Sequence, residues 1–162
     1  MRVVVPYAAS EPKTRLADVL SPDERSAFAD AMLADVRDAV RATGREPEVL
    51  ATAPVDADAP VTVDDRALTD AVNAVLADAA SANEAVAVVM ADLALATPDA
   101  LSRLFETDAD LAIAPGRGGG TNALVVRHPE FRVDYHGTSF LDHLEIARSV
   151  GAEVEVVDSH RL

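Results

Sequence analysis

Cysteine is absent from this 162-residue chain, which excludes disulfides, thiolate metal sites and cysteine nucleophiles together. Tryptophan is absent too, and aromatic residues make up only 4%, so valine, alanine and leucine must fill the core. No apolar run approaches the length that crosses a bilayer, and the opening MRVVVPY lacks the long apolar segment of a secretory signal. A cytoplasmic protein with no membrane partner is therefore expected. Positive charge is scarce. Fourteen basic residues face 28 acidic ones, for a net charge of −14, which argues against nucleic acid as a partner. Thirteen of those basic residues are arginine, and Lys13 is the one lysine. A lysine kept in a chain that otherwise avoids it suggests a need for a compact point charge. The scattered acids suit a salt-adapted surface that stays hydrated.

Familiar catalytic signatures are missing as well. There is no Walker A loop, no GxGxxG turn after a strand and no nucleophile elbow. His128, His136, His143 and His160 show no metal-ligand spacing. Of these, His136 falls near the candidate site and could hydrogen-bond an anion, whereas His143 reads as a partly exposed helix residue.

At 49% hydrophobic, residues 1–162 can build one compact domain with a substantial core. Arg2–Pro6 reads as a buried strand followed by the loop Pro6–Leu16. Ser21-Pro22-Asp23-Glu24 is a capping box with proline at the first helical position, opening a helix to about Thr43. Phe28, Met32, Leu33, Val36 and Val40 should face inward from it. Strands are expected at Glu48–Ala53 and Val61–Val63, then a helix over Arg66–Ala79 with Leu68, Val72, Val75 and Leu76 inward. Ala85–Ala91 (AVAVVMA) is the most continuously apolar strand, as befits the centre of a parallel sheet. Thr97-Pro98 starts a helix through Phe105. Thr138 or Ser139 caps another that runs to about Val150, and Glu153–Val157 is a last strand. Strands alternating with helices predict a three-layer α/β sandwich with a mainly parallel sheet.

Residues 110–126, DLAIAPGRGGGTNALVV, are the most informative stretch. Two apolar runs flank a turn whose three successive glycines permit positive φ and close approach of a ligand to main-chain N–H groups. With Arg117, Thr121 and Asn122 beside it, this turn suits an anionic group; the plainer alternative is a flexible hairpin. In open α/β sheets ligands bind beyond the carboxyl ends of the strands, where two more loops should converge. Lys13 and Arg15, two residues apart after the first strand, can reach one polyphosphate, or else pair with surface acids. Asp92 directly follows the central strand. It can hold Mg²⁺ beside phosphates, or else act as a turn or cap residue. Segment 135–139, YHGTS, could present Ser139 at a helix N-terminus.

These segments together resemble the 2-phospho-L-lactate guanylyltransferase family of coenzyme F-420 biosynthesis. The matching features are VVVPY followed by PKTRL, SPDERSAFADAMLADV, the VNAV stretch around Asn73, VVMADL, APGRGGGTNAL and SFLDHLEIARSVGAEVEVVDS. They run in order over nearly the whole chain. The resemblance implies a nucleotide-diphospho-sugar-transferase-like fold and a homodimer. It also implies transfer of the guanylyl group of GTP to 2-phospho-L-lactate or phosphoenolpyruvate, with Mg²⁺ and release of pyrophosphate. By the same resemblance Pro6, Lys13, Arg15 and Asn73 bind the nucleotide and Asp92 binds the metal. Gly120, Thr121, Asn122, Gly137 and Ser139 would hold the phosphorylated acid. Lys13, Arg15 and Asp92 form the implied catalytic set. Asp92-Leu93-Ala94 departs from the Asp-Leu-Pro of related transferases, and the glycine of YHGTS is shifted by one. Relatives are expected to continue past Leu162 with an Asp-x-Asp-Pro segment. A nucleotide-binding subunit without catalysis, or a transferase with another acceptor of the molybdopterin- or cytidylyltransferase kind, is the alternative.

Overall fold

A computed structural model describes residues 1–9, 14–93, 95–157 and 162, with the side chain of Arg15 left out. The elements alternate as the hydrophobic pattern predicts: β1 (Arg2–Tyr7), α1 (Pro22–Arg41), β2 (Pro47–Ala51), β3 (Val61–Val63), α2 (Leu68–Ser81), β4 (Val86–Val89), α3 (Pro98–Phe105), β5 (Leu111–Pro115), β6 (Thr121–Val126), α4 (Ser139–Val150) and β7 (Val154–Val156). The seven strands form one sheet in the order β3-β2-β1-β4-β6-β5-β7. All pairings are parallel except the two made by β6, which runs against β4 and β5.

Each strand sends alternate side chains to opposite faces. Val3, Val5, Val49, Ala51, Ala87 and Val89 join Leu33, Val36 and Val40 of α1 and Leu101 and Leu104 of α3 in one buried cluster. Val4, Leu50, Val86, Val88 and Ile113 join Val72, Val75 and Leu76 of α2, Ala147 of α4 and Phe131 of the segment between β6 and α4 in the other. Two helical layers therefore sandwich the sheet, and β4 sits at its centre as expected.

Local signals set the helix starts. The Ser21 hydroxyl accepts from the Glu24 N–H, and the Glu24 carboxylate accepts from the Ser21 N–H at 2.8 Å, completing the capping box. Such a cap contributes about 1 kcal/mol. At α3 the Thr97 hydroxyl accepts from the Ala100 N–H at 3.3 Å, a side-chain cap without the reciprocal bond.

Two inward assignments fail, and one outward assignment reverses. Phe28 is 46% exposed, because the buried stripe of α1 starts at Ala29 and one residue is a turn of about 100° round a helix. Leu68, 38% exposed, opens α2 at the rim of a cavity instead of facing the core. His143, read as partly exposed, has no solvent exposure at all, because α4 lays it against the segment after β6.

Candidate active site

The strand order reverses at β1, whose ladder with β2 runs through Tyr7 while its ladder with β4 stops at Val4–Val88. Beyond that point the carboxyl ends of β1 and β4 bound a cavity of about 270 Å³. Such a switch point is where open α/β sheets bind ligands. Pro6, Tyr7 and Ala8 line it at and just past the end of β1, Leu50 and Thr52 at and just past the end of β2, and Ala29 and Met32 from α1. Met90, Ala91 and Asp92 close it from the end of β4, and Leu68 and Ala71 from the first turn of α2.

Two polar pairs shape the cavity. The Tyr7 hydroxyl donates to Asp30 Oδ1 at 2.5 Å, and burial together with that carboxylate pushes the phenol's pKa up, so Tyr7 stays neutral. Arg66 donates to both carboxylate oxygens of Asp64, with Nη2 at 2.5 Å from Oδ2, and this holds the Asp64 carboxyl below its ordinary range. Sequence reasoning missed both pairs. Asp64 read as one more surface acid and Arg66 as the start of a helix; only the position just past β3, on the same carboxyl edge, could have singled them out.

The sequence-predicted residues fall into groups. Pro6 and Asp92 line the cavity, and Asp92 is at its rim. Lys13 and His160 lie outside the described residues; Arg15 belongs to a short 3-10 turn, Thr14–Leu16. Asn73 does not line the cavity. Its amide is instead occupied at both ends by the main chain of Val133, donating to the C=O at 3.0 Å and accepting from the N–H at 2.8 Å. This makes Asn73 a clamp between α2 and the segment before α4. Asn73→Ala would strand both Val133 groups and should cost about 1–3 kcal/mol. A thermal melt should show a clear loss of stability; an unchanged melting point with a raised nucleotide KM would instead return Asn73 to the nucleotide.

The glycine hairpin lies on the same edge as the cavity. Between Ala114 and Pro115 the β5–β6 register shifts and Asn122 is the extra residue. A β-bulge of this kind re-aims a strand end. A Cβ at Gly116 would lie 2.6 Å from Asn122 Oδ1, so a larger residue there would have to displace the Asn122 amide, and Gly119 adopts φ +82°. The Asn122 C=O accepts from Met90 N–H at 3.0 Å, which fixes the hairpin beside the cavity wall.

The hairpin is also bonded to the start of α4. Phe140 N–H donates to the Gly119 C=O at 3.2 Å, and Thr121 N–H donates to Ser139 Oγ at 3.0 Å. Thr121 and Ser139 are thus brought together, both nearly buried at 5% and 4% exposed. Thr138 holds the N-cap position without a side-chain cap bond; the hydroxyl one residue later reaches across to β6 instead. Thr121 Oγ1 lies 2.8 Å from His143 Nδ1. Gly137, with φ +61°, turns the chain into α4, and His136 nearby pairs with Asp134 at 2.5 Å and is exposed.

Among the described residues no three metal-ligating side chains cluster. A cation held by Asp92 would need the remaining ligands from elsewhere, which suits Mg²⁺, an ion usually bound by one or two carboxylates plus substrate phosphates.

Comparison with known proteins agrees with this architecture. The family model described as guanylyl transferase CofC like matches residues 1–162. A curated 2-phospho-L-lactate guanylyltransferase of Haloferax volcanii is 65% identical over 162 residues, covering 100% of this chain and 78% of that protein. One of Halomicrobium mukohataei is 63% identical with the same coverage of both. Among solved structures, a Desulfovibrio desulfuricans protein described as a nucleotide-diphospho-sugar transferase superposes with a TM-score of 0.75 at 17% identity, over 98% of this chain and 80% of that one. At that identity the likeness establishes the fold, which is the sandwich expected from the sequence.

Proposed function

Because the chain belongs to the CofC-like guanylyl transferase family, we propose that it transfers the guanylyl group of GTP to the phosphate of 2-phospho-L-lactate, or of phosphoenolpyruvate, as a step of coenzyme F-420 biosynthesis. The observation that carries this reading is the cavity at the β1–β4 switch point, with the glycine hairpin and the start of α4 bonded together beside it. The cavity is lined largely by apolar groups and can take a base; the hairpin and the start of α4 beside it bring hydroxyls and glycines together.

A phosphate oxygen of the acid attacks the α-phosphorus, the α–β bridging bond breaks, and pyrophosphate leaves. No protein nucleophile is needed, since such a transfer asks mainly for in-line positioning and neutralised charge. In this reading the base enters between Pro6, Tyr7, Leu50 and Ala71. Lys13 and Arg15 follow the β1 edge of the cavity in sequence and would neutralise the triphosphate. Asp92 would hold Mg²⁺, which when bound withdraws charge from the phosphates. Thr121 and Ser139, with Gly120, Asn122 and Gly137, would seat the acid.

The test is pyrophosphate release by the purified chain with GTP, Mg²⁺ and each acid in turn, with the product weighed by mass spectrometry. Binding of GTP without pyrophosphate release from either acid would leave only a nucleotide-binding protein. Within an active enzyme, Thr121→Val and Ser139→Ala should each raise the KM of the acid far more than that of GTP. Losing one bond to a charged group costs about 1.5–3 kcal/mol, so KM rises by roughly tenfold or more. If the GTP KM rises instead, the assignments of the nucleotide and of the acid are exchanged.

No described helix is long and apolar enough to cross a membrane. A cytoplasmic homodimer is the form proposed here, on the resemblance. The net charge of −14 and the halophilic relatives support an enzyme that works at high salt.

A further inference from the structure

His143 has no solvent exposure, yet both ring nitrogens are engaged. Nε2 lies 3.0 Å from the main-chain nitrogen of Asp134, and an amide N–H can only donate. Nε2 therefore accepts, and in the neutral ring the proton belongs to Nδ1. Nδ1 lies 2.8 Å from Thr121 Oγ1, so this bond runs from the imidazole to the hydroxyl. A hydroxyl has one proton. Thr121 thus keeps its own proton for a partner other than His143.

The surroundings hold this arrangement fixed. The rings of Tyr135 and Phe131 meet the imidazole edge-on, at centroid distances of 5.1 and 6.0 Å. Burial lowers the His143 pKa to about 4 against the weaker pull of Asp142 and Asp134, so the ring is neutral at working pH. The segment that supplies the Asp134 N–H is itself pinned to α2, by Asn73 at Val133 and by Thr69 Oγ1, which accepts from Tyr135 N–H at 3.0 Å.

We propose that His143 is a positioning residue for the phosphorylated acid: by donating to Thr121 Oγ1 it commits the threonine's proton to an oxygen of the acid's phosphate or carboxylate. This rests on the acceptor site proposed above and assigns a residue to it that touches no substrate. The Ser139 hydroxyl takes up the main-chain N–H of Thr121, and with Oγ1 accepting from His143 the hydroxyl proton is the donor that Thr121 has left.

Three variants separate this role from plain packing. His143→Asn keeps an N–H donor near the Nδ1 position, His143→Gln keeps an acceptor near Nε2 but loses the donor, and His143→Phe keeps only bulk. The Gln and Phe forms should raise the KM of whichever acid the parent enzyme uses, roughly ten- to a hundredfold, while the GTP KM stays within about twofold. The Asn form should stay close to the parent. In a Thr121→Val background, His143→Gln should add no further rise. Nitrogen-15 NMR of the parent imidazole near pH 7 should place the proton on Nδ1, a readout that needs no turnover and no variant that folds. A proton on Nε2, an unchanged acid KM in folded His143→Gln, or KM changes for both substrates that follow melting temperature would each overturn the proposal. Should the parent chain use neither acid, the acceptor site falls and the role of His143 falls with it; a parent that turns over beside an unaffected Gln variant rejects His143 alone.

Discussion

Lys13→Ala should lose roughly thirty- to a thousandfold of guanylyl transfer while the protein keeps its fold, the equivalent of about 2–4 kcal/mol of transition-state stabilisation at one charged contact. The expectation follows from where the lysine falls in the chain. Ala8 lines the cavity, Ala9 N–H is tied to Thr52 Oγ1 at 3.0 Å, and Thr14 opens a short turn. Lys13 lies between these points in sequence. Lys13→Arg should also be impaired, because a planar fork cannot take the place of a compact ammonium. Steady-state turnover and a thermal melt on the same preparations decide it. Near-normal turnover in a folded Ala variant would remove Lys13 from the reaction and leave its rarity a matter of chance.

Asp92→Asn should be more severe still for turnover, and milder for binding. The amide keeps the shape of the rim but removes the charge that would hold the cation. Pyrophosphate release at ordinary Mg²⁺ should fall to background, while GTP binding, followed by titration calorimetry, should weaken only modestly. Partial recovery at high Mg²⁺ would agree with a weakened metal site. A variant that works normally at ordinary Mg²⁺ would make Asp92 a structural residue of the loop after β4. In that case the cation would have to be held by other groups.

Much of the frame was legible in the chain before any packing was known, because the signals that set it are local. A capping box at Ser21–Glu24 and Thr97-Pro98 mark helix starts through bonds between residues three apart. The apolar run at 86–89 became the central strand, since an uninterrupted run fits only a strand covered on both faces. The glycine turn after Pro115 made its hairpin for the same kind of reason: Gly119 has a backbone conformation that other residues rarely adopt. Family resemblance was legible too, because it rests on runs of adjacent residues.

What the polar side chains do was settled by contacts between distant parts of the chain. The resemblance alone assigns Asn73 to the nucleotide; a partner 60 positions away, Val133, takes both ends of its amide. Ser139 reads as a helix cap, yet its hydroxyl serves Thr121 on another strand. His143 follows Asp142 in a helix and reads as partly exposed; burial against Phe131 and Tyr135 and bonds to Thr121 and Asp134 make it a neutral, fully enclosed ring. The physical reason is the same in each case. A polar side chain entering the interior must find a hydrogen-bond partner, and which partner it finds depends on the packing of elements that are distant in the chain.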